Sequence, residues 1–250
     1  MKYARVKAEG EPFYGAAENG LIRKIAGGLF DCLHLTEETY PETAVTFLPP
    51  CEPTKIMAVG LNYRAHAAEM GETLPEVPKI FLKPPSALLG HMGTIEIPKH
   101  ALRVDYECEL ALVIGKRAKN IAPEEASGYI FGYTCFNDVT ARDVQSADGQ
   151  WTRAKGYDTF APCGPYIVTG IDPDDLQVET LVNDTVKQSG RTSDFIFPTA
   201  KLISFLSEVM TLEPGDIITT GTPSGIGPVK PGDKVEIRIE QIGTLTNFVK

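Results

Sequence analysis

Three acidic side chains alternate along one apolar segment. In VDYECELALVIG, Asp105, Glu107 and Glu109 are each separated by one residue, and a β-strand with its period of two is predicted to place all three carboxylates on one face. The continuation LALVI is apolar, which indicates that the strand enters the core and that like charges crowd there. A divalent cation removes this conflict, because Mg²⁺, Mn²⁺ or Ca²⁺ takes hard oxygen ligands. An exposed edge strand with alternating acids is the alternative interpretation.

A third ligand is needed to complete one face of an octahedral ion. Asp138, in TCFNDVTARD, ends another apolar strand where a turn begins, and such positions commonly carry site residues. The alternative is that Asp138 caps the turn or the helix that TARDVQ forms.

Candidate acid–base groups lie on either side of these carboxylates. His66 and Glu69 are three residues apart in RAHAAEMGE, a predicted short helix that ends at Gly71, so their side chains share one face. A carboxylate beside an imidazole holds its tautomer and raises its basicity, so the pair could activate a water molecule. Lys155, in RAKGYDTFAPCGP, could stabilise a developing oxyanion. An ordinary surface pair and a solvated lysine are the alternatives.

The glycine-rich stretch TTGTPSGIGPVKPGD resembles a phosphate-binding loop only superficially. No Gly-Lys-Ser/Thr follows and no helix obviously opens at its end, so neither a P-loop nor a dinucleotide fingerprint is predicted. Thr222 and nearby amides are retained as candidates for binding a carboxylate. The cysteines never occur as CxxC, so neither a disulfide framework nor a zinc ribbon is predicted; they are Cys32, Cys51, Cys108, Cys135 and Cys163.

The elements that must position these groups are mostly strands. Alternating or apolar runs between glycine, proline and aspartate turns predict strands at KIMAVG, KIFLK, TIEIP, IFGYTCFND, GPYIVTG, DIITTG and KVEIRIE. TAKLISFLSEVMTL has the apolar spacing of a helix. The predicted class is mostly β with few helices (α+β). The proline-rich segment 49–53 marks a boundary between a small β-rich module (1–52) and a larger domain (53–250).

Composition excludes several classes of protein. The chain has 250 residues, of which 42% are hydrophobic and 23% charged, as in an ordinary globular protein. Its formal charge of −9 opposes broad contact with phosphate backbones or anionic lipid, so neither a nucleic-acid nor a membrane partner is expected. No signal-like or membrane-spanning apolar run is evident, and a cytoplasmic location is expected.

Five ordered motifs resemble the fumarylacetoacetate hydrolase (FAH) superfamily over nearly all of residues 53–250. They are VGLNYRAHAAEMG, IFLKPPSALLG, VDYECELALVIG, GYTCFNDVTARDVQ followed by WTRAKGYDTFAPCGP, and TTGTPSGIG. The chain resembles bacterial members that act as acylpyruvases or as 2-hydroxyhepta-2,4-diene-1,7-dioate isomerases. The first fifty residues look like the small β module that precedes this domain in many bacterial members.

This resemblance implies a mixed β-roll with a divalent-metal site formed by Glu107, Glu109 and Asp138. It further implies a catalytic His66–Glu69 pair on a lid segment, with Lys155 reaching the reacting carbonyl. The positions that match substrate-contacting residues are Lys83, Arg142, Gln145 and Thr222. Leu61 departs from some acylpyruvate-cleaving relatives, which carry a basic residue there. A homodimer is implied as well.

The expected reaction is metal-dependent hydrolysis of a carbon–carbon bond in a small dicarbonyl 2-oxo acid, an acylpyruvate-like substrate, through an enolate that the ion stabilises. The same residues would serve an isomerase, tautomerase or decarboxylase of the 2-hydroxyhepta-2,4-diene-1,7-dioate or oxaloacetate type, because each reaction passes through that enolate. Dehydration or hydrolysis of a deoxy keto sugar acid is a further alternative. A keto-acid-binding module without catalysis is the alternative of another class.

Overall fold

Short runs rich in β-branched and aromatic residues, interrupted by glycine and proline, form the strands of this chain. The structure is a computed structural model and describes residues 1–31 and 33–250. In chain order the strands are β1 (Lys2–Lys7), β2 (Phe13–Glu18), β3 (Leu21–Ala26), β4 (His34–Pro41), β5 (Thr46–Phe47), β6 (Ile56–Gly60), β7 (Lys79–Lys83), β8 (Leu88–Leu89), β9 (Thr94–Ile95), β10 (Val104–Tyr106), β11 (Cys108–Ile114), β12 (Ile130–Asn137), β13 (Thr140–Ala141), β14 (Ala161–Val168), β15 (Gln177–Val182), β16 (Thr185–Arg191), β17 (Ile217–Thr219), β18 (Gly227–Pro228), β19 (Lys234–Ile239) and β20 (Gly243–Val249). The α-helices are α1 (Arg64–Met70), α2 (Arg142–Asp148), α3 (Thr152–Lys155) and α4 (Thr199–Val209), and the 3₁₀ helices are Glu42–Ala44, Pro85–Ala87, Pro123–Tyr129 and Thr192–Asp194.

The largest sheet runs through both parts of the chain. Among the described residues it has twelve strands, in the order β4-β3-β2-β1-β14-β12-β11-β17-β6-β7, with β5 beside β1 and β8 beside β14. Strand β1 lies antiparallel to both β2 and β14, so the first strand of the chain joins the N-terminal hairpins to the rest of the sheet. The division into residues 1–52 and 53–250 stays a prediction.

Two smaller sheets accompany the large one. They have the orders β13-β10-β18 and β16-β15-β19-β20-β9. Every residue of β11 is buried, because the large sheet packs on both of its faces at this point, as expected for an apolar run without alternation. The prediction of a mostly β fold with few helices is confirmed.

The acidic segment departs from the single strand that its alternation predicts. The strand breaks at Glu107, where β10 pairs with β13 and β18 while β11 pairs with β12 and β17. TIEIP contributes only the two residues of β9, and the hairpin of β15 and β16 was not predicted at all. Its strands mix polar and apolar residues, because one of them is largely exposed.

The cysteines contribute to packing. Cys51, Cys108, Cys135 and Cys163 are buried thiols without disulfide bonds, and burial raises the pKa of Cys108 and of Cys135 to about 12. The remaining cysteine, Cys32, lies outside the described residues. Across those described residues, every helix is too short or too polar to cross a membrane.

A buried carboxylate fastens β6 to the turn before β17. Asp216 is 0% exposed and accepts hydrogen bonds from the backbone N–H groups of Thr54, Lys55 and Glu213 at 3.0, 3.2 and 2.8 Å. Replacing Asp216 by alanine leaves these donors unpaired in the interior. We expect the free energy of unfolding to fall by about 3 kcal/mol, which lowers the melting temperature by about 6–12 °C in a chain of this size.

Asp175→Ala is the matched control for this prediction. Its carboxylate is exposed and pairs with Arg191 at 2.6 Å, and a surface ion pair of this kind contributes less than about 1 kcal/mol. Thermal or urea unfolding of both variants measures the difference. Equal losses of stability in the two variants would contradict a structural role for Asp216.

Candidate active site

Antiparallel pairing of β11 with β12 brings three carboxylates together. Cys108 pairs with Asn137, so Glu107 and Asp138, the residues next to that pair, lie opposite each other where β11 begins and β12 ends. The backbone N–H of Asp138 donates to the carbonyl of Glu107 at 2.9 Å, and the Asn137 side chain accepts from the N–H of Glu107 at 2.9 Å. Glu109 follows two residues along β11. Carboxylate oxygens of Glu107, Glu109 and Asp138 all lie within 4.8 Å of one another, and all three side chains are buried.

Two buried lysines surround the carboxylate of Asp138. Lys155, the last residue of α3, lies 2.5 Å from Asp138 and 2.9 Å from Glu107. Lys83, the last residue of β7, lies 2.5 Å from the other oxygen of Asp138 and 3.2 Å from the carbonyl of Val139. Asp138 therefore does not act as the N-cap of α2, whose N-cap is Ala141.

Arg142 connects the cluster to the other acidic residue of the segment. Its guanidinium contacts Glu107, donates from Nε to Asp105 at 2.8 Å, and donates to the side-chain oxygen of Gln145 at 3.0 Å. Asp105 also accepts two hydrogen bonds from Arg103, at 2.8 and 3.0 Å. Because β10 belongs to a different sheet from β11, Asp105 turns toward these arginines instead of joining the three carboxylates.

The site separates the pKa values of its two glutamates. Burial alone would raise the pKa of Glu107, but Arg142 and Lys155 hold it lowered at about 2. Burial, together with the charges of Asp138 and Glu107, raises the pKa of Glu109 well above its usual range. Burial opposes the charge of Lys155 too, yet Asp138 and Glu107 keep the pKa of its ammonium group raised. Burial lowers the pKa of Lys83.

The predicted His66–Glu69 pair forms on α1. Nδ1 of His66 lies 2.8 Å from Oε2 of Glu69, and the helix ends at Gly71 with the left-handed backbone that its sequence predicts. The other oxygen of Glu69 accepts a hydrogen bond from the N–H of Gly225 at 3.0 Å. This contact links the pair to the glycine-rich segment 220–225, which we call the glycine loop.

The glycine loop also contacts the carboxylate cluster. The N–H of Gly221 donates to Glu109 at 2.8 Å. Gly221 has a φ of +85°, and an added Cβ would lie 2.9 Å from Cβ of Asn62 and 3.2 Å from the carbonyl of Val59. Only glycine therefore lets this backbone approach both Asn62 and Glu109.

Gly221→Ala should destabilise the protein through both effects. We expect a loss of about 2–4 kcal/mol in the free energy of unfolding, from the left-handed backbone and the overpacking against Asn62. Gly232→Ala is the control, because Gly232 has a φ of +94° with no atom within 4 Å of an added Cβ, so only the backbone cost of about 1–2 kcal/mol applies. Chemical denaturation of both variants measures the difference. A Gly232→Ala loss as large as that of Gly221→Ala would count against the close approach.

A cavity of about 260 Å³ joins these groups. Of the residues that sequence analysis proposed, those that line the cavity are His66, Glu107, Glu109, Asp138, Arg142, Gln145, Lys155 and Thr222. Glu69 lies behind His66. Lys83, expected to contact substrate, is instead fully buried against Asp138, where it can hold that carboxylate but does not form part of the cavity wall.

Sequence reasoning missed the aromatic wall and the backbone of Leu61. Phe81 and Trp151 pack edge to face with ring centroids 5.1 Å apart, and Nζ of Lys155 lies 4.9 Å from the centroid of Phe81. Both rings line the cavity, and Trp151, the single tryptophan of the chain, stands four residues before Lys155. Leu61 also lines the cavity and has a φ of +58°. A left-handed leucine costs roughly 1–2 kcal/mol, and such strain is typical of functional sites.

The residues present fit a divalent cation. The three converging carboxylates offer only oxygen atoms, which hard cations such as Mg²⁺, Mn²⁺ and Ca²⁺ prefer. Lysine and arginine side chains already pair with Glu107 and Asp138. Burial first, and then the charges of Asp138 and Glu107, raise the pKa of Glu109, and a cation beside it would offset the cost of its buried charge. The cavity beside them leaves room for a ligand.

The sequence and fold place the chain in a known family of enzymes. Residues 55–250 match the fumarylacetoacetate (FAA) hydrolase C-terminal domain and residues 1–50 match an Rv2993c-like N-terminal domain. The chain therefore belongs to the fumarylacetoacetate hydrolase family, and it is an enzyme of that superfamily.

Different relatives of this chain are named for different activities. Oxaloacetate tautomerase YisK of Bacillus subtilis is 46% identical, with 80% of this chain and 71% of the relative covered. The structure of 2-hydroxyhepta-2,4-diene-1,7-dioate isomerase from Mycobacterium marinum is 44% identical, with a TM-score of 0.94 over 100% of this chain and 98% of that one. Maleylpyruvate hydrolase from Sphingobium is 33% identical, with a TM-score of 0.84 over 100% of this chain and 99% of that one.

Proposed function

We propose that this enzyme is a divalent-metal-dependent tautomerase or isomerase of a small 2-oxo acid that reacts through its enol form. The observation that carries this proposal is the single cavity shared by three buried carboxylates and the His66 side chain. A divalent ion held by Glu107, Glu109 and Asp138 would supply Lewis acidity that favours the enolate. The family membership supports this reading, and hydrolysis, which sequence analysis placed first, becomes the second candidate.

Different side chains of the cavity would transfer the proton and bind the substrate. His66 is the candidate base, because its ring faces the cavity while Glu69 binds Nδ1 and so orients the ring. In a keto–enol interconversion the ring accepts a proton from a carbon beside the carbonyl and returns a proton to oxygen or to another carbon. Lys155 and Arg142 are the cations that would hold the anionic oxygens of substrate in place.

Aromatic side chains limit the access of water to this proton transfer. Trp151 and Phe81 form one apolar wall beside Lys155, and an apolar wall strengthens the electrostatic contacts next to it. An acid of a few carbon atoms suits a volume of about 260 Å³ better than a large ligand does.

Hydrolysis of an acylpyruvate-like bond is the second candidate, and the His66–Glu69 pair favours it. The same base could deprotonate a water molecule that attacks the distal carbonyl, with Lys155 stabilising the resulting oxyanion. The tautomerase and isomerase named above are 46% and 44% identical to this chain, whereas the named hydrolase is 33% identical. This difference favours isomerisation. The homodimer stays a prediction.

A substrate panel read by NMR separates the two candidates. Purified protein with Mg²⁺ or Mn²⁺ is incubated with oxaloacetate, a 2-hydroxydienedioate, acetylpyruvate and fumarylpyruvate, and chelator-treated protein is the control. A faster keto–enol exchange or a shifted double bond without fragmentation is expected. Release of pyruvate and a second acid would establish hydrolysis instead. Equal rates after chelation would contradict the role of the metal.

A further inference from the structure

Gln188 lies outside the cavity, and both the oxygen and the nitrogen of its side-chain amide make two hydrogen bonds each. It belongs to β16 and is 1% exposed. Its Oε1 accepts from the N–H of Cys108 at 3.0 Å and from the hydroxyl of Thr180 at 2.7 Å. Its Nε2 donates to the hydroxyl oxygen of Thr222 and to the carbonyl of Pro223, each at 2.8 Å.

The orientation of this amide is fixed by its two backbone partners. The N–H of Cys108 can only donate and the carbonyl of Pro223 can only accept. The oxygen of Gln188 must therefore face β11, and its nitrogen must face the glycine loop. Both amide hydrogens are then in use, one of them on Thr222.

This arrangement decides the role of the Thr222 hydroxyl. Because its oxygen accepts from Gln188, the hydrogen of the hydroxyl is left to point in another direction. Thr222 lines the cavity and its hydroxyl also contacts the thiol of Cys108. Sulfur is a weak acceptor, so an anionic oxygen of a bound molecule is the stronger acceptor for that hydrogen. Without Gln188, the hydroxyl would be free to rotate and donate elsewhere.

Close packing of β16 on the glycine loop supports the same conclusion. An added Cβ at Gly190 would lie 2.7 Å from Cβ of Pro223, and one at Gly225 would lie 2.5 Å from the carbonyl of Lys187. The strand thus packs closely against the Pro223 side chain at Gly190, and the Lys187 carbonyl of the strand packs closely against Gly225 of the loop. The strand acts as a rigid support for the loop, and the Gln188 amide sets the orientation of Thr222 on it.

We propose that Gln188 is a positioning residue, which holds Thr222 as a hydrogen-bond donor to a carboxylate or enolate oxygen of the substrate. This inference rests on the proposed function of the same site. Gln188 acts through Thr222 and does not itself touch the substrate.

A double-mutant cycle in oxalate binding tests the proposal. Oxalate is a stable dianion that resembles the enolate of a 2-oxo acid, and its affinity is measured by calorimetry in the presence of Mn²⁺. Gln188→Met and Thr222→Val are each expected to weaken oxalate binding about tenfold or more, because a hydrogen bond to a charged group is lost or misdirected. The double variant should bind no more weakly than Thr222→Val alone, because both changes remove one interaction.

Further measurements distinguish positioning from a general loss of structure. The affinity for Mn²⁺ without oxalate should stay within about threefold of the parent in every variant, and Thr222→Ser should retain oxalate binding. Gln177→Met is the matched control, since Gln177 is a glutamine of the adjacent strand β15 that bonds Ser189 at the surface. Gln188→Glu keeps both accepting contacts but makes Thr222 donate toward position 188, so it should lose oxalate as Thr222→Val does, even where Gln188→Met fails to fold.

Parental affinity for oxalate in Gln188→Met or Gln188→Glu would overturn the proposal. Losses that multiply independently in the double variant would overturn it as well. If the parent protein neither bound oxalate with metal nor turned over any 2-oxo acid, the proposed function itself would fall, and this inference with it.

Discussion

Replacement of Glu109 by glutamine is expected to weaken the binding of Mg²⁺ or Mn²⁺ by more than about 100-fold, beyond the 10–100-fold loss typical of residues that only support a ligand. Glu109 is 1% exposed, and its side chain accepts a hydrogen bond from the backbone N–H of Gly221 at 2.8 Å. A neutral amide in its place offers the cation less charge. Turnover should fall in parallel. Calorimetric metal titration checks whether weaker metal binding is the cause.

Asp105→Asn is the matched control for Glu109→Gln. Asp105 is a buried carboxylate of the same acidic segment, but it binds Arg103 and Arg142 and lies outside the group of three acids. Its substitution should leave metal affinity much closer to that of the parent. If the two variants lost metal equally, the assignment of Glu109 as a ligand and of Asp105 as an arginine partner would be wrong.

Removal of the His66 imidazole is expected to separate metal binding from turnover. His66→Ala should retain the metal affinity of the parent, because no carboxylate of the cluster bonds His66 among the described contacts. Turnover should fall by about 10²–10⁴-fold, the usual contribution of a general base. Steady-state kinetics at saturating metal, together with metal titration, measures both quantities.

His100→Ala serves as the control for the His66 variant. His100 is exposed, contacts the hydroxyl of Tyr157 at 2.8 Å, and is not one of the residues that line the cavity. Its substitution should leave turnover within about twofold, because a surface change of this kind usually alters stability by no more than about 0.5 kcal/mol and changes no residue of the cavity wall. Unchanged turnover in His66→Ala would remove the histidine from the proton transfer and direct attention to Lys155.

Alternation predicted that Glu107 and Glu109 share one face, but it also placed Asp105 with them, which the structure does not. Asp138 was a candidate because it ends the next apolar strand, and the family resemblance joined it to the two glutamates. The structure brings these three carboxylates together. The helix that carries His66 also begins and ends close to its predicted bounds, because Gly71 terminates it.

Contacts between distant segments could not be predicted in the same way. The break at Glu107, which sends Asp105 to the arginines, depends on which sheet each half of the segment joins. Gln188 looks like one polar residue of an exposed strand, and only the return of the glycine loop buries it. Hydrophobic periodicity describes the faces of an element, but it contains no information about which other element will cover them.

The position of β1 at the centre of the large sheet has a consequence for how the polypeptide folds as it is made. Tyr3 pairs with Ile167 of β14, and Ile56 of β6 pairs with Ile217 of β17. The ribosome therefore releases β1 and the N-terminal hairpins long before β14 has been synthesised. Until then the edge of β1 that pairs with β14 stays unpaired, and an unpaired strand edge is prone to self-association. We expect folding to finish late and slowly, since contacts so far apart in sequence must close before the sheet is continuous.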